Sequence, residues 1–120
     1  MAELNCEGDE LVMTLSAMEK VEAVHGDIRV PMSSVRAVEV LDDVVHAVNG
    51  RKSVGAAWPG EFAIGTFHAE QTKTFAAVHH ETRRGVRVRL EGTQFDELVV
   101  GCRNPEEVAS RLSGPISPTG

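Results

Sequence analysis

The sequence predicts a mainly β domain with some α: a strongly bent antiparallel sheet or partly open barrel, capped by a C-terminal helix. From residue 61 onward, four segments of strand composition are separated by short polar stretches. Short connections of this kind typically join antiparallel neighbours. After the fourth segment, the apolar residues change to the spacing of an amphipathic helix. This order favours a bent sheet or barrel whose open end is covered by the helix.

The composition predicts one domain that can fold without a metal or disulfide, and no cofactor is expected. The chain has 120 residues, of which 42% are hydrophobic and 25% charged, enough to bury one core. Its net charge of −6 disfavours nucleic-acid binding, which requires an excess of cationic side chains. No apolar run approaches the roughly 18 residues of a membrane span, so no integral membrane protein is expected. The acidic N-terminus is unlike a secretory signal, and a cytoplasmic location is expected.

The first half of the chain mixes strands with helical and irregular segments. The predicted elements are, in order, an N-terminal lead (1–9), a strand (10–16), a helix (16–26), a short strand ended by a proline (28–30), a strand (35–40), a short aspartate-capped helix ending at Asn49 and Gly50 (42–50) and a loop (50–60). The last segment is assigned to a loop because it contains three glycines and a proline.

The helix in the first half has both a start signal and an apolar face. Ser16 and Glu19 have the spacing of a capping box, in which each side chain bonds the other residue's backbone N–H. Met18, Val21 and Val24 recur at helical spacing, so the helix is predicted to pack through them. Glu19 is predicted to face away from that apolar side.

The second half predicts four antiparallel strands, at residues 61–69, 73–80, 85–91 and 97–102. The third of these has the clearest pattern. Val86, Val88 and Leu90 alternate with Arg87 and Arg89, which predicts a half-buried strand with the arginines in solvent.

The C-terminal helix is predicted over residues 105–113 of a domain that spans 10–113. Asn104 is suited to the N-cap position, and a proline follows it at the first helical position. Val108 and Leu112 lie four residues apart on one face, which is predicted to dock over the open end of the barrel. Residues 114–120 are predicted to be a flexible tail.

Four segments, in this order, resemble the small bacterial pleckstrin-homology-like domains: "DIRVPMSSVRAVEVLDD", "WPGEFAIGTF", "KTFAAVHH" and "VRVRLEGTQFDELVVGCRNPEEVASRL". The resemblance covers residues 9–113. It implies a seven-stranded, partly open barrel of two near-orthogonal sheets, used for binding or assembly rather than catalysis. Phosphoinositide binding is not expected, because the segment after the first strand, "SAMEKVEAVHG", has one lysine and two glutamates where lipid-binding members have a basic cluster.

His79 and His80 are the candidates for a metal site. Neighbouring residues on a strand face opposite sides, and zinc requires three or four converging ligands. Two interpretations stay open: the solvated end of a strand, or a small metal-binding protein or hydrolase that uses these histidines.

Arg83, Arg84, Arg87 and Arg89 form the main basic concentration of the chain. They are either a solvated edge balanced by nearby acidic residues, or a patch that binds an anion or an acidic partner through bidentate arginine contacts. Trp58, in the predicted loop, either packs that loop onto the barrel or contacts a partner.

The function expected from the sequence is that of a non-catalytic binding or self-assembly module, which recognises a protein or a small anionic ligand. No nucleophile or phosphate-binding motif occurs in the sequence, so no enzyme is expected. A homo-oligomer is predicted because "EFAIGTF" and "TFAAV" are almost free of charge and read as unprotected strand edges, which proteins normally cover or pair.

Overall fold

The computed structural model describes residues 2–48, 51–58 and 60–113, which form nine strands and two α-helices. The elements are β1 (Glu3–Glu7), β2 (Glu10–Thr14), α1 (Ala17–Ala23), β3 (Ile28–Pro31), a 3₁₀ helix (Met32–Ser34), β4 (Val35–Leu41), β5 (Arg51–Trp58), β6 (Phe62–Ala69), β7 (Thr72–His79), β8 (Gly85–Leu90), β9 (Glu97–Gly101) and α2 (Pro105–Ser113). The strands form a three-stranded sheet in the order β1-β2-β3 and a six-stranded sheet in the order β4-β8-β9-β7-β6-β5. A mainly β protein with a C-terminal helix is thus confirmed, whereas the sheets do not close into a barrel.

The first strand lies within the segment predicted to be an N-terminal lead. β1 pairs antiparallel with β2, with Leu4 opposite Met13. Leu4 is buried, while Glu3 and Glu7 are exposed. One apolar side chain among polar neighbours gives almost no alternating signal, so this edge strand depends on its pairing with β2.

The order of strands in the larger sheet differs from a simple antiparallel succession. β9 lies between β7 and β8 and runs parallel to β7. Leu98, Val99 and Val100 of β9 are all buried, so both faces of this strand are covered. A strand that is apolar on both faces is most stable inside a sheet, which explains why β9 separates two strands that are neighbours in sequence.

The segment predicted to be a loop, residues 50–60, contains the edge strand β5. Its glycine allows close pairing with β6: a Cβ on Gly55 would lie 2.3 Å from the carbonyl oxygen of Ile64, and one on Gly65 would lie 2.2 Å from that of Val54. Both glycines have φ of +139°. Glycine is therefore needed here to let the backbones of β5 and β6 approach closely, whereas the sequence prediction interpreted it as the sign of a loop.

The main core lies between the two sheets and beneath α2. It includes Val86, Val88 and Leu90 on β8, as the alternation predicted. Val108 and Leu112 of α2 join the same core, which agrees with the predicted docking face of that helix. The helix has the predicted bounds of 105–113, and the predicted tail, 114–120, lies outside the described residues.

A second, smaller core lies on the other face of the six-stranded sheet. Val44 and Val45 pack there against residues that include Phe67, Val78 and Val99. The segment that carries these valines is a turn and not the predicted short helix at 42–50, whose predicted end at Asn49 and Gly50 lies outside the described residues. The backbone N–H of Ala47 donates to the carbonyl of Val44 three residues earlier, and that of Val44 donates to the carbonyl of Arg83, so the segment has the hydrogen bonds of a turn held against a distant part of the chain.

Candidate functional site

Helix α1 has the opposite orientation to the one predicted from its sequence. Glu19 is only 2% exposed, whereas Met18 is 67% and Val21 74% exposed. The capping box is confirmed: the backbone N–H of Glu19 donates to Ser16 Oγ, and that of Ser16 donates to Glu19 Oε1. The helix therefore faces the protein with Glu19 and Ala23, and faces solvent with its large apolar side chains.

The Glu19 carboxylate is the reason for this orientation. Its Oε2 atom lies 2.9 Å from His79 Nε2 and accepts the backbone N–H of Ala2 at 3.2 Å. Burial by itself raises the pKa of Glu19, but the hydrogen bonds from His79 and Ser16 outweigh it and lower the pKa to about 2. The same hydrogen bond raises the pKa of His79 against the opposing effect of burial. This hydrogen-bonded charged pair attaches the Glu19 face of α1 to the end of β7.

Strand β5, which lies next to α1, also carries exposed apolar residues. Helix α1 packs beside β5 and β6. Val54 and Trp58 of β5 are 45% and 65% exposed. Val54 pairs with Thr66 of β6, and Trp58 pairs with Phe62. Thr66 and Phe62 lie on the same sheet face as the core residue Ile64, which is between them on β6.

We call this surface the α1–β5 patch: Met18, Val21, Val24, Val54 and Trp58. Val24 has φ of +54°, a left-handed conformation that is unfavourable for a β-branched residue. Trp58 is thus an exposed residue of an edge strand, and not part of a loop packed onto a barrel. The patch includes all but one of the large apolar side chains that are exposed in the described residues.

The strand edge next to this patch is not the one that the sequence suggested. β6 and β7, which contain the segments "FAIGTF" and "TFAAV" without charged residues, are interior strands, each paired on both sides. Their lack of charge reflects burial in the sheet. The free edge belongs to β5, where Arg51 and Lys52 precede a stretch of small residues.

His79, the last residue of β7, and His80, in the turn that follows, have separate partners. His79 lies against Glu19, and His80 Nδ1 lies 3.2 Å from a carboxylate oxygen of Glu61 at the surface. In the described part of the chain, no group of three or more His, Cys, Asp or Glu side chains is placed to hold a metal ion. The cysteines Cys6 and Cys102 are free.

Two of the candidate arginines cross-link distant parts of the surface. Arg83 donates to both carboxylate oxygens of Asp43 at 3.2 Å. Arg84 forms a bidentate pair with Glu106 of α2, and this pair raises the pKa of Arg84 and lowers that of Glu106. Bidentate pairs of this kind occupy the donors that an external anion would need.

The other two candidate arginines differ in burial. The Arg87 side chain is 17% exposed and lies 3.3 Å from Glu39 and 3.7 Å from Glu97, so the prediction that it faces open solvent is wrong. The turn that carries Val44 and Val45 covers this side chain. The carbonyl of Ala47, in the same turn, accepts a hydrogen bond from Arg87 at 3.4 Å. Arg89 is exposed as predicted and has one longer contact with Glu39 at 3.6 Å.

A cleft that the sequence did not indicate lies between β1 and α2. It has a volume of about 520 Å³ and includes Arg103 and Arg111, which no motif distinguished from the other arginines. Cys102 also lines it, and burial raises the pKa of this thiol. The alternation of β8 had directed attention to Arg87 and Arg89, whereas this cleft is created by elements far apart in sequence.

Comparison with protein-family models, with curated proteins and with solved structures finds no match to this chain. The resemblance to pleckstrin-homology-like domains therefore stays a prediction. No helix in the described residues is long and apolar enough to cross a membrane.

Proposed function

We propose that this protein is a non-catalytic binding module that assembles with itself, two copies joining through the α1–β5 patch and the free edge of β5. The outward apolar face of α1 is the observation that carries this proposal. A seven-residue helix gains little from propensity alone, and it would normally bury its apolar residues. Here the carboxylate of Glu19 holds the helix, which leaves Met18 and Val21 available to a partner.

The size and chemistry of the patch fit an interface centre. Exposed tryptophan and methionine are typical of residues that contribute most to binding, because they remove a large apolar area from water. Full burial of one such side chain contributes about 1.5–3 kcal/mol. The five residues of the patch together therefore offer enough to offset much of the cost of association.

The sequence of β5 permits antiparallel pairing with a second copy of itself. Residues directly opposite each other in an antiparallel pair point to the same face, so a two-fold axis perpendicular to the sheet passes through a residue. An axis through Val54 would place this valine opposite its copy at the centre of the interface, next to the small residues Gly55 and Ala56. In the described residues neither Arg51 nor Lys52 has an ion pair of its own that this pairing would disrupt.

The same pairing satisfies the strand edge. An edge strand presents unpaired backbone N–H and C=O groups, and two-fold addition of an identical strand is a common way to pair them. The opposite edge of the six-stranded sheet, β4, lies beside α2 and carries Arg36 and Glu39, whose charges discourage such pairing. The asymmetry between the two edges favours a closed dimer over an open chain of sheets.

Light scattering at micromolar concentration tests the proposal directly. We expect a mass of twice the 13.0 kDa chain, and a mass of 13.0 kDa up to about 100 µM would contradict it. Val54→Lys should give a monomer, since a lysine there would have to be desolvated at the centre of the interface.

The matched control is Val40→Lys, which changes a valine of similar exposure on the opposite edge strand β4. This variant should keep the dimer mass, and loss of the dimer in both variants would point away from the α1–β5 patch. Trp58 is the chain's one tryptophan, so its fluorescence reports on this surface alone. Its emission should shift to the red on dilution, and the Val54→Lys protein should show the shifted spectrum at every concentration.

A further inference from the structure

The cleft between β1 and α2 has the geometry of a peptide-binding groove. One wall is formed by residues 2–5, and the others by residues 100–103 together with Val108 and Arg111. Successive side chains of a strand point to opposite faces, so four consecutive residues can line one cleft only if the backbone edge faces it. β1 pairs with β2 alone, and its second edge is the one that faces the cleft.

The floor of the cleft is apolar and its rim is basic. Leu4, Val100 and Val108 are buried side chains that line it. Arg103 and Arg111 are exposed, and neither forms an ion pair with another residue that the structure describes.

The charge balance of the cleft is opposite to that of the whole protein. Glu3 is the one acidic side chain among the lining residues, against the two arginines. Burial keeps the thiol of Cys102 neutral by raising its pKa, so it adds no charge. The lining thus has an excess of positive charge in a chain whose net charge is −6. A local positive field of this kind selects acidic ligands.

We infer that this cleft binds an extended acidic segment of another protein, which adds a strand to the free edge of β1 and pairs its carboxylates with Arg103 and Arg111. Main-chain hydrogen bonds to β1 would give affinity, and the side chains of alternate residues would give specificity. This site is separate from the α1–β5 patch and does not depend on the proposed self-assembly.

The spacing of the two arginines gives the expected spacing of the ligand's carboxylates. They are eight positions apart along a segment that is mostly helical, which corresponds to roughly 12 Å. In an extended strand the same length is covered by about four residues. Residues i, i+2 and i+4 of a strand lie on one face. A segment with carboxylates at i and i+4 would therefore reach both arginines while its apolar residue at i+2 meets the floor at Val108.

The test is a titration of the full chain, labelled with ¹⁵N, with the blocked peptide acetyl-Asp-Thr-Val-Thr-Asp-amide. We expect saturable shifts of the backbone amides of Glu3, Leu4 and Asn5. Two control peptides separate the contributions. Replacing both aspartates with lysine should abolish binding, and N-methylation of a threonine amide that faces β1 should do the same by removing a ladder donor.

Variants of the protein identify the cationic groups. Arg103→Gln and Arg111→Gln should each weaken binding about tenfold, as expected for a charge-assisted hydrogen bond. The matched control is Arg89→Gln on β8, in the other sheet, which should bind like the parent chain. All three side chains are exposed, and circular dichroism of each variant checks that it is folded.

An independent readout comes from the two thiols. The peptide should slow alkylation of Cys102, which lines the cleft, more than that of the exposed Cys6. Three results would overturn the inference: no binding at millimolar peptide, equal binding by the N-methylated peptide, or binding that is unchanged in both arginine variants. Inorganic phosphate that binds with the same dependence on the arginines, while the peptide leaves the β1 amides unmoved, would also overturn it and leave a simple anion site.

Discussion

Protonation of His79 should control how the stability of this domain changes as the pH rises above 6.5. Its hydrogen bond to the buried Glu19 raises the pKa of the imidazole above 6.5. Because the folded state holds this proton more tightly than the unfolded state, the stabilisation is complete below pH 6.5 and is lost as the pH rises through the folded pKa. Glu22 and Glu81, which also lie near the imidazole, act in the same direction.

The carboxylate of Glu19 gives the opposite dependence in acid. Its pKa falls from the usual 4.5 to about 2, so its stabilisation is complete above pH 4.5 and is lost as the pH falls toward 2. At about 1.4 kcal/mol per pKa unit, the shift corresponds to about 3 kcal/mol. The shift of His79 reports the same contact and is not added to this figure. Since the imidazole is 28% exposed, we assign about 1–2 kcal/mol to its protonation.

Urea or thermal unfolding of three variants between pH 3 and pH 9 measures these contributions. His79→Gln keeps an N–H donor near Glu19 but cannot be protonated, so the fall in stability as the pH rises above 6.5 should disappear. At pH 6 this variant should lose about 1–2 kcal/mol, or roughly 3–10 °C in Tm for a chain of this size. Glu19→Gln should lose about 3 kcal/mol at neutral pH and should lack both the acid and the alkaline dependence.

The adjacent histidine provides the control. His80 contacts Glu61 at the exposed surface, where ion pairs contribute little. His80→Gln should therefore keep the pH dependence of the parent chain. The reasoning is refuted if His79→Gln retains the alkaline loss of stability, or if His80→Gln is the variant that removes it.

Two further predictions concern the six-stranded sheet. Arg87→Ser should lower the free energy of unfolding, measured in urea, by about 2 kcal/mol, because it leaves the mostly buried Glu97 without its cation. Arg89→Ser should lower it by at most about 0.5 kcal/mol. Equal effects would mean that the pairing of Arg87 contributes nothing. Gly65→Ala should cost about 2–4 kcal/mol, because its Cβ would meet the backbone of β5 at a φ that alanine avoids, whereas Gly26→Ala, with open space around it, should be nearly neutral. Thermal melts that do not distinguish the two glycine variants would contradict the close approach of β5 and β6.

The sequence predicted those elements whose signals are local. Strict alternation identified β8, and the sequence around Asn104 and Pro105 identified the start of α2. In both cases the residues that determine the structure are within a few positions of one another. Burial of Val88 and Leu112 then followed from periodicity alone.

The features that sequence patterns missed depend on contacts between distant residues. The strand β5 is rich in glycine, alanine and basic residues, and only its pairing with β6 makes it a strand. The orientation of α1 depends on His79, sixty positions from Glu19. Periodicity shows that a helix has an apolar face, but it does not show whether that face or a buried carboxylate meets the core. The candidate surfaces were missed for the same reason, since one depends on this orientation and the other on β1 meeting α2.

The orientation of α1 links the pH dependence to the proposed assembly. The helix presents Met18 and Val21 because Glu19 holds its other face, and the strength of that hold depends on the charge of His79. Contacts made by the patch in a dimer would add to those of Glu19, since both restrain the same short helix. A dimer should therefore keep more of helix α1 at alkaline pH than a monomer does. Linkage requires the reverse effect to be equal: the free energy by which dimerisation favours the protonated form of His79 is also the free energy by which deprotonation of His79 weakens the dimer.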